Sequence, residues 1–231
     1  MRSGTVRSYN DMKFLNPLLA ALLLACADTA IIPLRAADRA PLYESNFEKI
    51  APGGVPDDFL ILDGAFAVQQ DATNKFLELP GAPLDTFGVL FGPTVKTNVA
   101  VSARIFGTSH GRRHPALGVG LGGQSGYRLQ VSPGKGTLDL YRANLVVAGV
   151  PYDWKSGQWT VLRLQVIGAG GGWKVEGKAW MQGASEPVKP LISFDEKEEP
   201  RAGRASIWGS PFSTTPIRYD HLLVTSVEAK P

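Results

Sequence analysis

Apolar and polar residues alternate in short runs along most of the chain, beginning at Leu42. Gly, Pro, Asn and Asp separate the runs, and alternation bounded by such turn-forming residues is typical of β-strands. After residue 40, no stretch carries an apolar stripe at the spacing of a helix. The pattern therefore predicts an all-β protein with strands at residues 42–47, 59–62, 65–70, 76–79, 88–91, 98–106, 116–121, 127–131, 137–141, 145–150, 159–166, 173–181, 192–194, 204–208 and 217–227.

Short, closely spaced strands without intervening helices favour two antiparallel sheets packed face to face, as in a β-sandwich or jelly roll. The first and last strands both alternate and have no other obvious neighbour, so we expect them to pair. A sandwich of about 200 residues commonly forms one domain. Residues 37–231 are therefore predicted to be a single domain.

Alternation within each strand also predicts which side chains leave the core. Leu117, Val119 and Leu121 are expected to face inward, which puts Gly118 and Gly120 on the outer face. Small residues there would let a ligand approach the backbone. If the strands involved share one sheet, the candidate binding face carries Arg104, Gly118, Gly120, Arg128, Gln130, Asp139, Tyr141 and Trp208.

The start of the chain has the pattern of a secretory leader. Lys13 precedes an apolar run, and small residues follow at Ala36 and Ala37. The run is much shorter than the roughly 20 residues that span a membrane. Residues 1–36 are therefore predicted to be a signal peptide, with Met12 as an alternative start, and the protein is predicted to be exported to the periplasm or the extracellular space.

The single cysteine, Cys26, lies inside this leader. It ends the string Leu-Leu-Ala-Cys at residues 23–26, which resembles the lipobox of bacterial lipoproteins, so lipid anchoring is the alternative to cleavage near Ala36. Under either alternative the folded domain has no thiol beyond a lipidated terminus. Disulfides, thiolate catalysis and cysteine metal sites are excluded.

The basic character of the chain is concentrated in the leader. The formal net charge is +3, and residues 1–36 contribute +2 of it, which leaves +1 for the remaining chain. A nearly neutral body with interspersed signs offers no basic stripe to a phosphate backbone. Nucleic acid is therefore not an expected partner.

Four segments carry a resemblance to a known group of domains: residues 42–48, 59–68 and 217–224, and the turn, tryptophan and alternating strand of residues 152–164. They resemble concanavalin A-like jelly rolls, and in particular the secreted bacterial domains termed 3-keto-disaccharide hydrolase-like. Family-16 glycosidases and laminin-G-like domains belong to the same group. The resemblance implies contact with carbohydrate at a concave face; by itself it establishes no activity.

The resemblance also implies a calcium site, because sandwiches of this class often join their first and last strands through an ion. Glu44, Asn46 and Asp220 are the available oxygen ligands. Calcium takes six to eight oxygens, so backbone carbonyls or water would have to complete the shell. No other cofactor is expected.

Signals for catalysis are weak. Family-16 glycosidases place their carboxylates in a Glu-x-Asp-x-x-Glu pattern, which this chain lacks. The acidic run at residues 195–199 precedes Pro200 and is predicted to be a solvated turn, which would hold a carboxylate pair poorly. The glycine spacing at residues 118–123 matches a dinucleotide fingerprint, but a turn and a strand follow it instead of a helix.

A local basic cluster lies between two predicted strands and consists of His110, Arg112, Arg113 and His114, ending at Pro115. It is predicted to be a solvated loop, with an anion site as the alternative.

Three functions are consistent with these patterns. The leading hypothesis is an exported carbohydrate-recognition or structural module without an identifiable catalytic pair. The alternatives are a glycoside-cleaving enzyme of the 3-keto-disaccharide hydrolase type and a protein-interaction domain without a sugar ligand.

Overall fold

Fifteen β-strands make up the regular structure of the computed structural model of this chain, which describes residues 40–72, 74–81 and 85–230. No residue in these ranges is helical. The strands are β1 (Tyr43–Ser45), β2 (Leu60–Asp63), β3 (Ala67–Asp71), β4 (Asn74–Leu79), β5 (Phe87–Val95), β6 (Val99–Phe106), β7 (Ala116–Leu121), β8 (Tyr127–Ser132), β9 (Thr137–Arg142), β10 (Leu145–Pro151), β11 (Trp159–Ala169), β12 (Gly172–Met181), β13 (Ile192–Glu196), β14 (Gly203–Ser210) and β15 (Ile217–Ser226).

Every strand that alternation predicts has a counterpart, and the all-β prediction is confirmed. The bounds differ most at β5, which was expected to end at residue 91 and instead continues to Val95. Gly92 adopts a φ of 68°, and the pairing of β5 with β14 shifts register here. Glycine accepts this conformation without steric cost, so the strand passes through a position that the sequence marks as a turn.

The strands form two antiparallel sheets. The eight-stranded sheet has the order β13-β12-β11-β6-β15-β4-β3, with β1 paired to β15, and the seven-stranded sheet has the order β10-β9-β8-β7-β14-β5-β2. Tyr43 of β1 lies opposite Val224 of β15, which confirms the predicted pairing of the first and last strands.

Alternate residues of the two sheets meet in one core. Leu117 and Val119 of β7 and Leu129 of β8 belong to the same buried cluster as Leu162 and Leu164 of β11. Each is fully buried, and burial of such a side chain contributes about 1.5–3 kcal/mol. The predicted inward faces of these strands are therefore correct, and the intervening residues point away from the core.

A polar contact joins the two sheets at one end of the sandwich. The Tyr127 hydroxyl of β8 donates a 2.7 Å hydrogen bond to Glu196 Oε2 of β13, and Arg142 Nε lies 3.1 Å from the same oxygen. Glu196 is buried at 4% exposure. The solvated turn predicted for residues 195–199 is thus wrong at its start, because Asp195 and Glu196 end a strand and only the following residues leave it.

All described residues belong to one compact unit, Arg35–Pro231. The predicted signal peptide over residues 1–36, the alternative start at Met12 and the lipobox cysteine Cys26 lie outside the described residues. No helix in the described ranges is long and apolar enough to cross a membrane.

Candidate functional site

The outward face of the seven-stranded sheet brings together most of the predicted site. β14, β7, β8 and β9 are neighbours in this sheet. Their outward residues stand in two adjacent rows across the strands. One row contains Trp208, Gly118, Gln130 and Asp139, and the other contains Ser206, Gly120, Arg128 and Tyr141.

A stack of three side chains dominates this face. Arg128 lies opposite Tyr141 in the strand register, and its Cζ is 4.5 Å from the centroid of the Tyr141 ring. The same Cζ is 5.2 Å from the Trp208 ring centroid. Trp208 Nε1 donates a 2.8 Å hydrogen bond to Ser206 Oγ, which fixes the indole. Cation–π contacts contribute about 0.5–2 kcal/mol each, more as the cation is desolvated.

The two glycines of the predicted site leave room for this stack, because neither has a side chain. A Cβ atom at Gly118 would come within 3.4 Å of Arg128 Cγ, and one at Gly120 within 2.4 Å of Ser206 Oγ and 3.2 Å of Trp208 Nε1. The expectation that these glycines form an open floor for a ligand is therefore wrong. Larger outward side chains of the neighbouring strands lie over them and use the space.

Beside the stack, three polar side chains form a connected group. Gln130 Nε2 donates to Ser132 Oγ at 3.1 Å and to Tyr141 Oη at 3.4 Å, and Ser132 Oγ donates to Asp139 Oδ2 at 2.9 Å. Asp139 is buried at 5% exposure, whereas Gln130 and Tyr141 are half-buried. A ligand on this face would meet the Gln130 amide and the Tyr141 ring before the Asp139 carboxylate.

A cleft of about 290 Å³ opens next to these residues. Arg128, Gln130 and Tyr141 line it together with residues that the sequence analysis did not assign to the site, among them His114, Ser132 and Lys135. His114 Nδ1 is buried and has no hydrogen-bond partner among the described residues.

The loops explain why the sequence analysis missed these residues. His114 lies two residues before the start of β7, and Lys135 lies in the short β8–β9 turn. Both loops therefore reach one edge of the face, whereas the sequence predicts a solvated loop for His114. The available signal is the position of His114 two residues before a strand of the predicted site.

Arg104 does not belong to this site. It lies on β6 of the eight-stranded sheet, where its Nε donates a 3.0 Å hydrogen bond to Asp220 Oδ2 and its Cζ lies 4.8 Å from the Trp159 ring centroid. Alternation places Arg104 on an outer face correctly but cannot identify which sheet contains β6. The structure thus unites seven of the eight predicted residues.

The three calcium candidates lie in different environments and do not form one group of ligands. Asp220 is fully buried, and its Oδ2 accepts hydrogen bonds from Arg104 and from Asn74 Nδ2, the latter at 3.1 Å. Glu44 and Asn46 are exposed, on β1 and just beyond it. Among the described residues, no three His, Cys, Asp or Glu side chains are grouped so that they could hold a metal ion. The calcium site rests on the resemblance alone.

No protein-family model and no curated protein matches the sequence significantly. Solved structures do match by shape. A protein of unknown function with a galectin-like fold from Bacillus subtilis superimposes with a TM-score of 0.57 and 12% identity, covering 82% of this chain and 98% of that one. Carbohydrate binding module CBM66 from Bacillus subtilis superimposes with a TM-score of 0.52 and 11% identity, covering 73% of this chain and 96% of that one. A β-1,3-glucanase from Mycobacterium marinum superimposes with a TM-score of 0.53 and 11% identity, covering 81% of this chain and 99% of that one.

These likenesses, together with the two antiparallel sheets, show the fold. The domain is a concanavalin A-like jelly-roll sandwich, as its strand and turn motifs predict.

Proposed function

We propose that this domain binds carbohydrate on the outward face of its seven-stranded sheet, in the cleft beside the stack of Tyr141, Arg128 and Trp208. The observation that carries the proposal is the stack itself, which holds two aromatic rings and a guanidinium group on one surface. The half-buried Gln130 supplies an amide next to it.

The chemistry of these groups suits a sugar. The C–H surface of a pyranose ring is apolar and packs on an aromatic face, while its hydroxyls require hydrogen-bonding partners in the same plane. Tyr141 offers the aromatic face, and the Gln130 amide and the Arg128 guanidinium offer donors. A cleft of about 290 Å³ is at the small end of ligand sites, which favours recognition of a short segment of a saccharide.

The structural neighbours support the same proposal. A carbohydrate binding module and a lectin complexed with galactose share the fold with this chain. Because the identities are 11% and 12%, these neighbours do not locate the site, and the proposal for its position rests on Tyr141, Arg128 and Trp208.

The test is a glycan array followed by calorimetric titration with the saccharides that score. Trp208→Ala is expected to weaken binding, because Trp208 does not line the cleft itself but packs against the Arg128 guanidinium that does. Trp180→Ala is the matched control, because Trp180 is also half-buried but lies on β12 of the other sheet. Equal binding by wild type and a folded Trp208→Ala variant would rule out this face as the binding site.

The alternatives to binding give different results in the same experiments. Release of monosaccharide from oxidised disaccharides would identify a glycoside-cleaving enzyme. A stable protein partner without saccharide binding would identify an interaction domain.

We further propose that the protein is exported. The basic start, the short apolar run and the small residues of the leader support cleavage near Ala36. Deletion of residues 13–24 should retain the protein in the cytoplasm, as measured by cell fractionation. Cys26→Ala should leave the exported, soluble fraction unchanged; its release from a membrane fraction would instead establish lipid anchoring.

A further inference from the structure

Arg128 is a cation without an acidic partner among the described residues. Its Cζ lies over the rings of Tyr141 and Trp208, and its Nε is buried without a hydrogen-bond partner there. Two other arginines differ: Arg104 pairs with Asp220, and Arg142 pairs with Glu196 and Glu198. A cation–π contact uses no N–H donor, so a guanidinium over an aromatic ring keeps its terminal N–H groups for hydrogen bonds.

The surroundings of Arg128 add to this positive character. Thirteen described residues line the cleft, and none of them is acidic. The charged side chains among them are those of Arg128 and Lys135, both cationic. Asp139, the carboxylate of this face, is buried, accepts a hydrogen bond from Ser132 and does not line the cleft. A cleft lined by one sign of charge attracts ligands of the other.

We propose that the saccharide recognised in this cleft is acidic, and that a carboxylate of a uronic acid residue accepts hydrogen bonds from the two terminal nitrogens of the Arg128 guanidinium, Nη1 and Nη2. This inference rests on the proposed function. The two oxygens of a carboxylate match the donor spacing of a guanidinium, so one residue supplies both charge and geometry. Tyr141 then packs on the sugar ring to which the carboxylate is attached.

Burial lowers the pKa of Arg128, and the Tyr141 hydroxyl opposes that shift. A bound carboxylate would stabilise the charged guanidinium and remove part of the cost of its burial. We therefore expect the positive charge of the cleft to increase its affinity for a uronate but not for a neutral sugar.

The test titrates the protein without its predicted leader, residues 37–231, with pairs of oligosaccharides that differ only at the carboxyl group. Oligomers of galacturonate, glucuronate and mannuronate are each compared with their carboxyl-reduced counterparts. At least one acid is expected to bind about tenfold or more tightly than its reduced form, as for a charge-assisted hydrogen bond. The difference should shrink as salt is raised.

Two variants assign the preference to Arg128. Arg128→Gln should bring the affinity for the acid down to that for the reduced sugar, and Arg128→Lys should give an intermediate value because the charge stays while the paired donors are lost. Arg112→Gln is the control, since Arg112 is an exposed arginine of the loop before β7. It removes the same charge and should leave the preference intact. Circular dichroism and melting temperature confirm that each variant is folded.

The outcomes separate the two proposals. Equal affinity for acid and reduced sugar, or a preference that survives Arg128→Gln, would overturn the acidic ligand while carbohydrate binding stands. Arg128-dependent binding of sulfated oligosaccharides without any binding of uronates would overturn the carboxylate assignment. Failure of every saccharide, acidic or neutral, would reject carbohydrate binding itself.

Discussion

Trp208 lies across Gly88, its register partner on β5, and a Cβ atom at Gly88 would come within 2.7 Å of the indole Cζ3. On the other side, Trp208 lies opposite Gly118 of β7. The indole therefore lies along the sheet because both flanking residues lack a side chain. In this way two glycines of the sequence determine where the largest aromatic side chain of the candidate site can be.

Gly88→Ala is expected to push the Trp208 ring off the sheet. Overpacking of this kind costs about 1–3 kcal/mol, and the displaced indole should also weaken saccharide binding. Urea unfolding measures the loss of stability, and tryptophan fluorescence during a saccharide titration measures the loss of binding. Gly134→Ala is the control for stability, because a Cβ atom at Gly134 has no neighbour within 4 Å. If Gly88→Ala were as stable as Gly134→Ala, the close contact with Trp208 would be disproved.

Asp220→Asn should be strongly destabilising. Asp220 is 0% exposed and Arg104 is 16% exposed, and Arg104 Nε and Asn74 Nδ2 both donate to the Asp220 carboxylate. Removing the negative charge leaves a largely buried guanidinium unpaired, which costs about 3–5 kcal/mol. The denaturant midpoint should fall without a change in slope.

The control for this variant is Lys155→Gln, which breaks an exposed pair with Asp153. Exposed pairs contribute less than about 1 kcal/mol. Similar midpoints for the two variants would contradict a stabilising role for the Arg104–Asp220 pair.

Glu196 should make the stability of the domain sensitive to acid. Burial by itself would raise the pKa of Glu196, but the Glu198 backbone N–H, the Tyr127 hydroxyl and the Arg142 guanidinium together lower it below its ordinary value of 4.5. A carboxylate with a lowered folded-state pKa stabilises the fold above its unfolded-state pKa, and this contribution is lost as the pH falls through the folded value.

Glu196→Gln should therefore be less stable than wild type at pH 7, and the difference should shrink below about pH 4.5. Urea midpoints measured between about pH 3 and 7 test this. The control is Glu44→Gln, because Glu44 is exposed. A stability difference that stays constant with pH would show that Glu196 acts by packing and not by its charge.

The alternation of apolar and polar residues predicts the strands and the direction of each side chain, because both depend on the two-residue period of a strand. It does not predict which strands are neighbours. β14 lies between β7 and β5, and β15 lies between β6 and β4, so long-range pairing decides the sheets. Arg104 was placed with Arg128 for this reason, although both are correctly predicted to face outward.

The same limit applies to contacts between side chains. Gly118 and Gly120 are predicted on the correct face, but the space above them depends on how far Arg128 and Trp208 reach from neighbouring strands. His114 enters the site only because its loop meets the cleft. Local patterns therefore predict faces, and three-dimensional packing determines the site on a face.

Calcium is expected to leave the melting temperature unchanged. Asp220 Oδ2 accepts hydrogen bonds from Arg104 and Asn74, and Oδ1 accepts a 2.6 Å hydrogen bond from the His221 backbone N–H. An ion would have to replace these partners and would still need several further oxygens. Thermal unfolding with EDTA and with millimolar calcium tests this, and a clear rise in melting temperature with calcium would establish the site that the resemblance implies.

Tyr141→Ala should weaken saccharide binding by about 0.5–1.5 kcal/mol, which corresponds to roughly 2- to 12-fold in affinity. The ring is half-buried against the Arg128 guanidinium, and its loss removes one wall of the cleft. Tyr141→Phe separates the ring from the hydroxyl, which accepts only a long 3.4 Å hydrogen bond from Gln130. If the ring stacks on the sugar, Tyr141→Phe should retain most of the affinity in calorimetric titrations. If Tyr141→Phe lost as much as Tyr141→Ala, the hydroxyl would be the recognising group and stacking by Tyr141 would be excluded.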